Sequence, residues 1–216
     1  MDFLPEEIEA YAERFTSEEP ELLAELNRFT HSKVLQPRML AGHLQGRAIA
    51  MLSKMIRPGN VLEVGTYTGY SALCWAEGLN ENGTVHTIEI NDELKPKIES
   101  FFERSERNDQ IKLHIGNALQ LIPTIEGYFD IVYLDADKSN YSNYFDLVFD
   151  KVSVGGYIIA DNVLWSGKVT MNQNEMDEDT KALNDYANKI HNDPRLENVL
   201  LPIRDGLLIA RKIKEK

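Results

Sequence analysis

A single cysteine, Cys74, leaves no partner for an internal disulfide, and its setting in an apolar helical stretch points to packing rather than reactivity. No apolar run approaches the roughly 18 residues that a membrane-crossing helix needs. The opening stretch MDFLPEEIEAYAERF is acidic and amphipathic, without the basic start and apolar centre of a secretory signal. These absences predict a cytoplasmic protein with no membrane partner. Basic charge is scarce too: 23 Lys and Arg face 35 Asp and Glu, and a formal net charge of −12 opposes general binding to nucleic acid backbones. His31, His43, His86, His114 and His191 lie far apart without the spacing of a metal motif, so none is assigned a role. The acidic run NEMDEDT (174–180) reads as a solvated helix start.

What is present is enough for one α/β core. The chain has 216 residues, 43% of them hydrophobic, with no internal repeat and no linker, and reads as a single domain. Ile8, Tyr11, Ala12 and Phe15, then Leu22, Leu26 and Phe29, recur at helical spacing and predict two short N-terminal helices. A longer helix follows with Leu44, Ala48, Met51, Leu52 and Met55 expected on its buried face, ending at Arg57-Pro58-Gly59. Beyond it, VLEVG (61–65), TVHTIEI (84–90), IKLHIG (111–116), FDIVYLD (129–135) and GYIIADN (156–162) read as strands separated by helical stretches. Such alternation predicts a parallel, doubly wound sheet. A last helix around Thr180–His191 precedes LENVLLPIRDGLLIARK, read as an antiparallel hairpin turning at Arg204-Asp205-Gly206.

Ligands of such folds bind beyond the carboxyl ends of the strands, and those ends are polar here. In EVGTYTGYS (63–71), glycines permit a tight turn and close backbone approach, and the following helix start can face a charged group. Glu89 ends the second strand, 24 residues after Gly65, where a carboxylate can accept hydrogen bonds from both ribose hydroxyls. GNAL (116–119) ends the third and would set a small residue and an amide beside an adenine ring. Together these features indicate an adenosine-type cofactor, leaving S-adenosylmethionine and NAD both open. The fourth strand runs into LDADK (134–138) and the fifth into ADN (160–162), so Asp135, Asp161 and Asn162 should converge. Two carboxylates and an amide oxygen are hard donors suited to Mg²⁺.

EVGTYTGYS, TIEI, LDADK followed by NY, and ADNVLWSG resemble the cation-dependent O-methyltransferases of the catechol and caffeoyl-CoA group, over about residues 35–212. The resemblance implies a Rossmann-like methyltransferase fold: a mostly parallel seven-stranded sheet with an antiparallel C-terminal hairpin, with residues 58–216 as core and 1–57 as an N-terminal helical cap. It implies S-adenosylmethionine as cofactor, with Glu63, Gly65 and Ser71 at its methionine end, Met39 near the sulfonium, Glu89 on the ribose, and Asn117 and Ala118 on the adenine side. Asp135, also close to the cofactor, Asp161 and Asn162 match the metal ligands, for Mg²⁺ or another divalent cation. Lys138 matches the general base. A homodimer is implied as well.

The implied reaction transfers a methyl group to one hydroxyl of a small molecule with two adjacent oxygens, and Trp165 would cover a planar acceptor ring. The position matching the carboxylate that grips the second hydroxyl in animal catechol enzymes is Val199, with Glu197 nearby. A second acceptor within the same chemistry is a hydroxylated uridine in tRNA, reached through a local patch of Arg38, Arg47, Lys168, Arg204, Arg211 and Lys212. Outside it, a nicotinamide oxidoreductase would call for a set such as Tyr-x-x-x-Lys, which is absent, and a silent cofactor-binding scaffold would call for a broken metal or base position.

Overall fold

The computed structural model describes residues 5–215, and the first four residues of the expected cap lie outside them. Seven strands form one sheet in the order β3-β2-β1-β4-β5-β7-β6. By the density of their contacts the described residues fall into two compact units, 5–117 and 118–215.

The first unit opens with α1 (Glu6–Arg14), α2 (Glu21–Lys33) and α3 (Gly42–Ile56), followed by β1 (Asn60–Val64), α4 (Tyr70–Ala76), β2 (Thr84–Glu89), α5 (Lys95–Phe102) and β3 (Ile111–Ile115). The three strands are parallel, with Val64 opposite Ile88 and Glu89 opposite Ile115. Every residue of α4 is buried, which explains why its sequence shows no polar stripe. The buried face of α3 is not the one its large side chains predicted. Gln45, Gly46, Ile49, Ala50 and Ser53 are buried, while Met51 and Met55 are 58% and 75% exposed. The reason is steric: a Cβ on Gly46 would lie 2.4 Å from the Tyr70 ring, and one on Gly78 would lie 2.1 Å from the Ser53 backbone. Helices this close admit only small residues at the contact, and size outweighs hydrophobicity. Cys74 is buried there, with burial raising its thiol pKa, and Arg47 donates to its sulfur at 3.6 Å. A packing role fits these facts.

His86 on β2 and His114 on β3 stack with rings 13° apart, His86 Nδ1 lying 3.0 Å from His114 Nε2. Burial first, then the charges of His114 and Lys112, lower the His86 pKa to about 4 from its usual 6.5. Between pH 6.5 and about 4 the unfolded chain therefore takes up a proton that folded His86 refuses, and stability falls as pH drops through that window. Above it neither state binds the proton and the effect vanishes. Discounted for partial exposure, the loss is on the order of 1–2 kcal/mol. Urea midpoints from pH 7.5 to 4 should fall less steeply for His86→Gln than for the parent. Equal slopes would refute the assignment.

The second unit holds α6 (Ala118–Leu121), β4 (Phe129–Leu134), α7 (Tyr141–Val148), β5 (Val152–Asp161), α8 (Glu178–His191), β6 (Leu196–Leu201) and β7 (Leu207–Lys212). β4 and β5 run parallel to the pair Leu134–Ala160, and β7 is antiparallel to both β5 and β6, as the hairpin reading required. Arg204 (φ 48°) and Gly206 (φ 91°) adopt left-handed backbone at the turn. A side chain at Gly206 would meet Leu164 at 2.6 Å, so the turn packs against the loop after β5. β5 starts at Val152, earlier than the apolar run predicted, because Val152 already pairs with Phe129 of β4 across a register shift, and the fully buried Lys212 donates to the carbonyls of Phe149 and Val152 at 3.1 and 2.9 Å. The acidic run is a helix start: Asp177 caps α8, accepting from the Thr180 N–H at 2.8 Å.

Candidate active site

In the first unit the chain leaves β1 through a loop of unusual backbone. Gly65 (φ 104°), Tyr67 (φ 51°) and Gly69 (φ 93°) all take left-handed conformations. A Cβ on Gly69 would also strike the Phe102 ring at 2.6 Å, so both the turn and the close approach demand glycine there. Glu63, fully buried on β1, accepts the Thr87 hydroxyl at 2.5 Å. Because that hydrogen is committed, the Thr66 hydroxyl, 2.5 Å from Thr87, donates to it, giving a fixed Thr66–Thr87–Glu63 chain. Ser71 is buried at the start of α4.

Glu89 ends β2 and is 7% exposed. One carboxylate oxygen accepts the Tyr67 N–H at 2.7 Å and the other the Asn91 N–H at 2.8 Å. Burial raises its pKa while these backbone donors oppose the shift. A carboxylate has about four lone-pair sites, so it keeps accepting capacity beyond these backbone donors. The Tyr67 hydroxyl donates to the Leu35 carbonyl at 2.9 Å, tying the loop to the segment that carries Met39. Met39 lies in a short turn at Pro37–Met39 and is 55% exposed. Asn117 follows β3 and is exposed.

In the second unit Ala118 begins α6 and is buried, and the ends of β4 and β5 bring four predicted residues together. Lys138, only 7% exposed, places its amine 3.2 Å from Asp135 Oδ1 and 2.8 Å from Asn162 Oδ1. Asp161, 3% exposed, accepts the Tyr133 hydroxyl at 2.9 Å and the Asn162 N–H at 2.7 Å. Burial pushes the Asp135 carboxyl up to about 6; Lys138 opposes the shift and the Asp161 charge adds to it. Asn162 sits at φ 58°, a conformation that asparagine tolerates better than most residues. Its loop continues through Trp165 (φ 46°), Ser166 (φ 54°) and Gly167 (φ 79°), held by Asp205, which accepts the Ser166 N–H at 2.6 Å. The Trp165 ring centroid is 5.8 Å from the lysine amine.

These oxygens fit a hard cation. The Lys138 amine already lies against two of the three proposed donors, and the buried Asp161 carboxylate lies beside them. Among the described residues no group of three or more His, Cys, Asp or Glu side chains is placed to hold a metal, so the fit depends on the Asn162 amide as third donor.

Sequence reasoning did not single out Thr66, Thr87, Tyr67, Tyr133 or Tyr141. Only Tyr141 carried a signal, as the tyrosine of the NY that follows LDADK. The basic residues read as an RNA patch are largely neutralised: Arg47 pairs with Glu77 at 2.5 Å, Lys168 with Asp177 at 2.8 Å, Arg211 with Glu197 at 2.9 Å and Lys212 with Glu215 at 2.9 Å. Glu197, near the substrate-gripping position, is thus engaged by Arg211, and Val199 is 49% exposed on β6.

A family model described as O-methyltransferase matches residues 13–213. The chain belongs to that family. It is an S-adenosylmethionine-dependent O-methyltransferase of the caffeoyl-CoA type with the Rossmann-like fold. Caffeoyl-CoA O-methyltransferase of Petroselinum crispum is 33% identical over 206 residues, covering 90% of this chain and 85% of the relative. Caffeoyl-CoA O-methyltransferase 1 of Arabidopsis thaliana is 32% identical, covering 90% and 79%. Among solved structures, the S-adenosylhomocysteine-bound methyltransferase of Podospora anserina superposes with a TM-score of 0.88 at 28% identity, covering 100% of both chains. The O-methyltransferase of Bacillus cereus in complex with S-adenosylhomocysteine gives 0.87 at 27% identity, covering 95% of this chain and 97% of the other.

Proposed function

We propose that this methyltransferase acts with a divalent cation, Mg²⁺ or a similar ion, on one hydroxyl of a small acceptor carrying two adjacent oxygens, as a catechol does. The reading rests above all on the Lys138 amine lying 3.2 and 2.8 Å from the Asp135 and Asn162 oxygens beside buried Asp161. Asp135, Asp161 and Asn162 would hold the metal, which supplies Lewis-acid polarisation of the acceptor hydroxyl when bound. Lys138, in neutral form, takes the hydroxyl proton on Nζ. Trp165 flanks the amine and would shield a planar ring from water.

Glu63, Gly65 and Ser71 are assigned to the methionine end of S-adenosylmethionine, Glu89 to the ribose, Asn117 and Ala118 to the adenine side, with Met39 near the sulfonium and Asp135 close to the cofactor. The family match across residues 13–213 supports one methyltransferase domain, with 1–57 as cap and 58–216 as core. The exposed Met51 and Met55 of α3 support a homodimer. A tRNA acceptor is less well supported, because four of the six basic residues it would use are ion-paired.

The test is methyl transfer from labelled S-adenosylmethionine to a panel of catechols and to total RNA, with Mg²⁺ or with EDTA. Transfer to a catechol should fall to background in EDTA and return with Mg²⁺. EDTA-resistant transfer would overturn the metal assignment, and transfer to RNA alone would move the acceptor to tRNA.

A further inference from the structure

Tyr141 lies at the start of α7, fully buried, its ring edge-on to Tyr186 at 5.5 Å. Its hydroxyl has three neighbours: the Leu134 carbonyl at 3.1 Å, the Asp161 carbonyl at 3.0 Å and the Lys138 amine at 2.7 Å. The carbonyls can only accept, so they share the single phenolic hydrogen, and the oxygen lone pair is left to accept an N–H from Lys138. Leu134 and Asp161 are the last residues of β4 and β5. The one hydroxyl therefore pins together the two strand ends that carry the metal-binding candidates and, in the same act, holds the lysine amine.

The other two holders of that amine, Asp135 Oδ1 and Asn162 Oδ1, belong to residues assigned to the cation. A bound metal draws on their lone pairs and weakens their grip on the lysine. The buried Tyr141 oxygen is outside that competition. Resting on the reading of Lys138 as the base, we propose that Tyr141 is the positioning residue of the transfer, the one acceptor that keeps the Lys138 amine in place once the metal is bound.

The proposal is tested with Tyr141→Phe, which keeps the ring and removes the hydroxyl, in the full-length protein labelled with ¹⁵N-lysine. In the parent, a slowly exchanging Lys138 Nζ–H signal, assigned by its loss in Lys138→Met, should survive saturation with Mg²⁺. In Tyr141→Phe plus Mg²⁺ it should vanish. With saturating substrates, kcat should fall about 10–100-fold, at the low end for a misplaced proton acceptor, with both KM values within about twofold. In a Lys138→Met background the same change should add less than about a factor of two, because a residue acting through another loses its effect when that other is gone.

A persistent signal in Tyr141→Phe plus Mg²⁺, loss of the signal in the parent on adding Mg²⁺, or an equal kcat drop in both backgrounds would each overturn the proposal. A parent that binds no Mg²⁺ and methylates nothing would instead refute the reading on which the proposal rests.

Discussion

Replacing Lys138 with methionine is expected to lower kcat by about 10²–10⁴-fold, the range typical for loss of a positioned general base. Methionine approximates the length of the lysine stem, so packing under the 7% exposed side chain should survive. What disappears is the amine held by Asp135, Asn162 and Tyr141. S-adenosylmethionine affinity should stay within about twofold by calorimetry, because the cofactor is assigned to the Glu63 and Glu89 side, and removal of a group acting in the transition state lowers kcat without weakening binding. The substitution also strips the positive charge from two largely buried carboxylates, so the melting temperature should drop without metal and recover with Mg²⁺, which stabilises the folded state it binds. A kcat within about threefold of the parent would show that the proton leaves by another route.

Asp161→Asn should raise the Mg²⁺ concentration for half-maximal activity by about 10²-fold or more, since losing even a residue that only supports a metal ligand typically costs 10–100-fold in affinity. Asparagine is the informative choice because its carbonyl oxygen still accepts the Tyr133 hydroxyl, bound at 2.9 Å in the parent. Alanine would remove that acceptor as well, at about 1–3 kcal/mol, and confuse metal loss with misfolding. Activity titrated against Mg²⁺ in both proteins, with melting curves as control, separates the two effects. An unchanged Mg²⁺ requirement would remove Asp161 from the ligand set.

The two variants bear on different parts of the same cluster, and the cluster explains why its sequence motif is dense. LDADK and ADN place the carboxylates of Asp135 and Asp161, an amide and an amine at the ends of paired parallel strands, and from Ile131 onward β4 and β5 stay in register to Leu134–Ala160. Adjacent parallel strands in register bring their terminal residues side by side, so that grouping was legible from strand assignment alone. The Glu89 carboxylate was legible for the same reason, as the last residue of β2.

Other features were not legible. The buried face of α3 runs through Gly46, Ala50 and Ser53 because α4 approaches too closely for methionine, a distance that no periodicity encodes. Glu197 appeared available to a substrate until β7 placed Arg211 opposite it. Four of the six basic residues read as a patch are ion-paired, Arg47 with Glu77 thirty positions away and Arg211 with Glu197 across the β6–β7 pair.

The sequence by itself determined the alternation of strands and helices, the polar residues at the strand ends and the hard-oxygen character of the donor set, because each depends on neighbours along the chain or on residue type. Only the tertiary structure decided which side chains hold which: that Thr66 and Thr87 feed Glu63, that Tyr67 braces Glu89, and that Tyr141 grips Lys138 while tying two strand ends. Hydrogen bonds such as the first two join residues more than 20 positions apart, and that of Tyr141 to Lys138 forms only where the turn after β4 points both side chains into the same buried space. Their partners are set by packing distance and by which hydrogen is already committed, neither of which local sequence records.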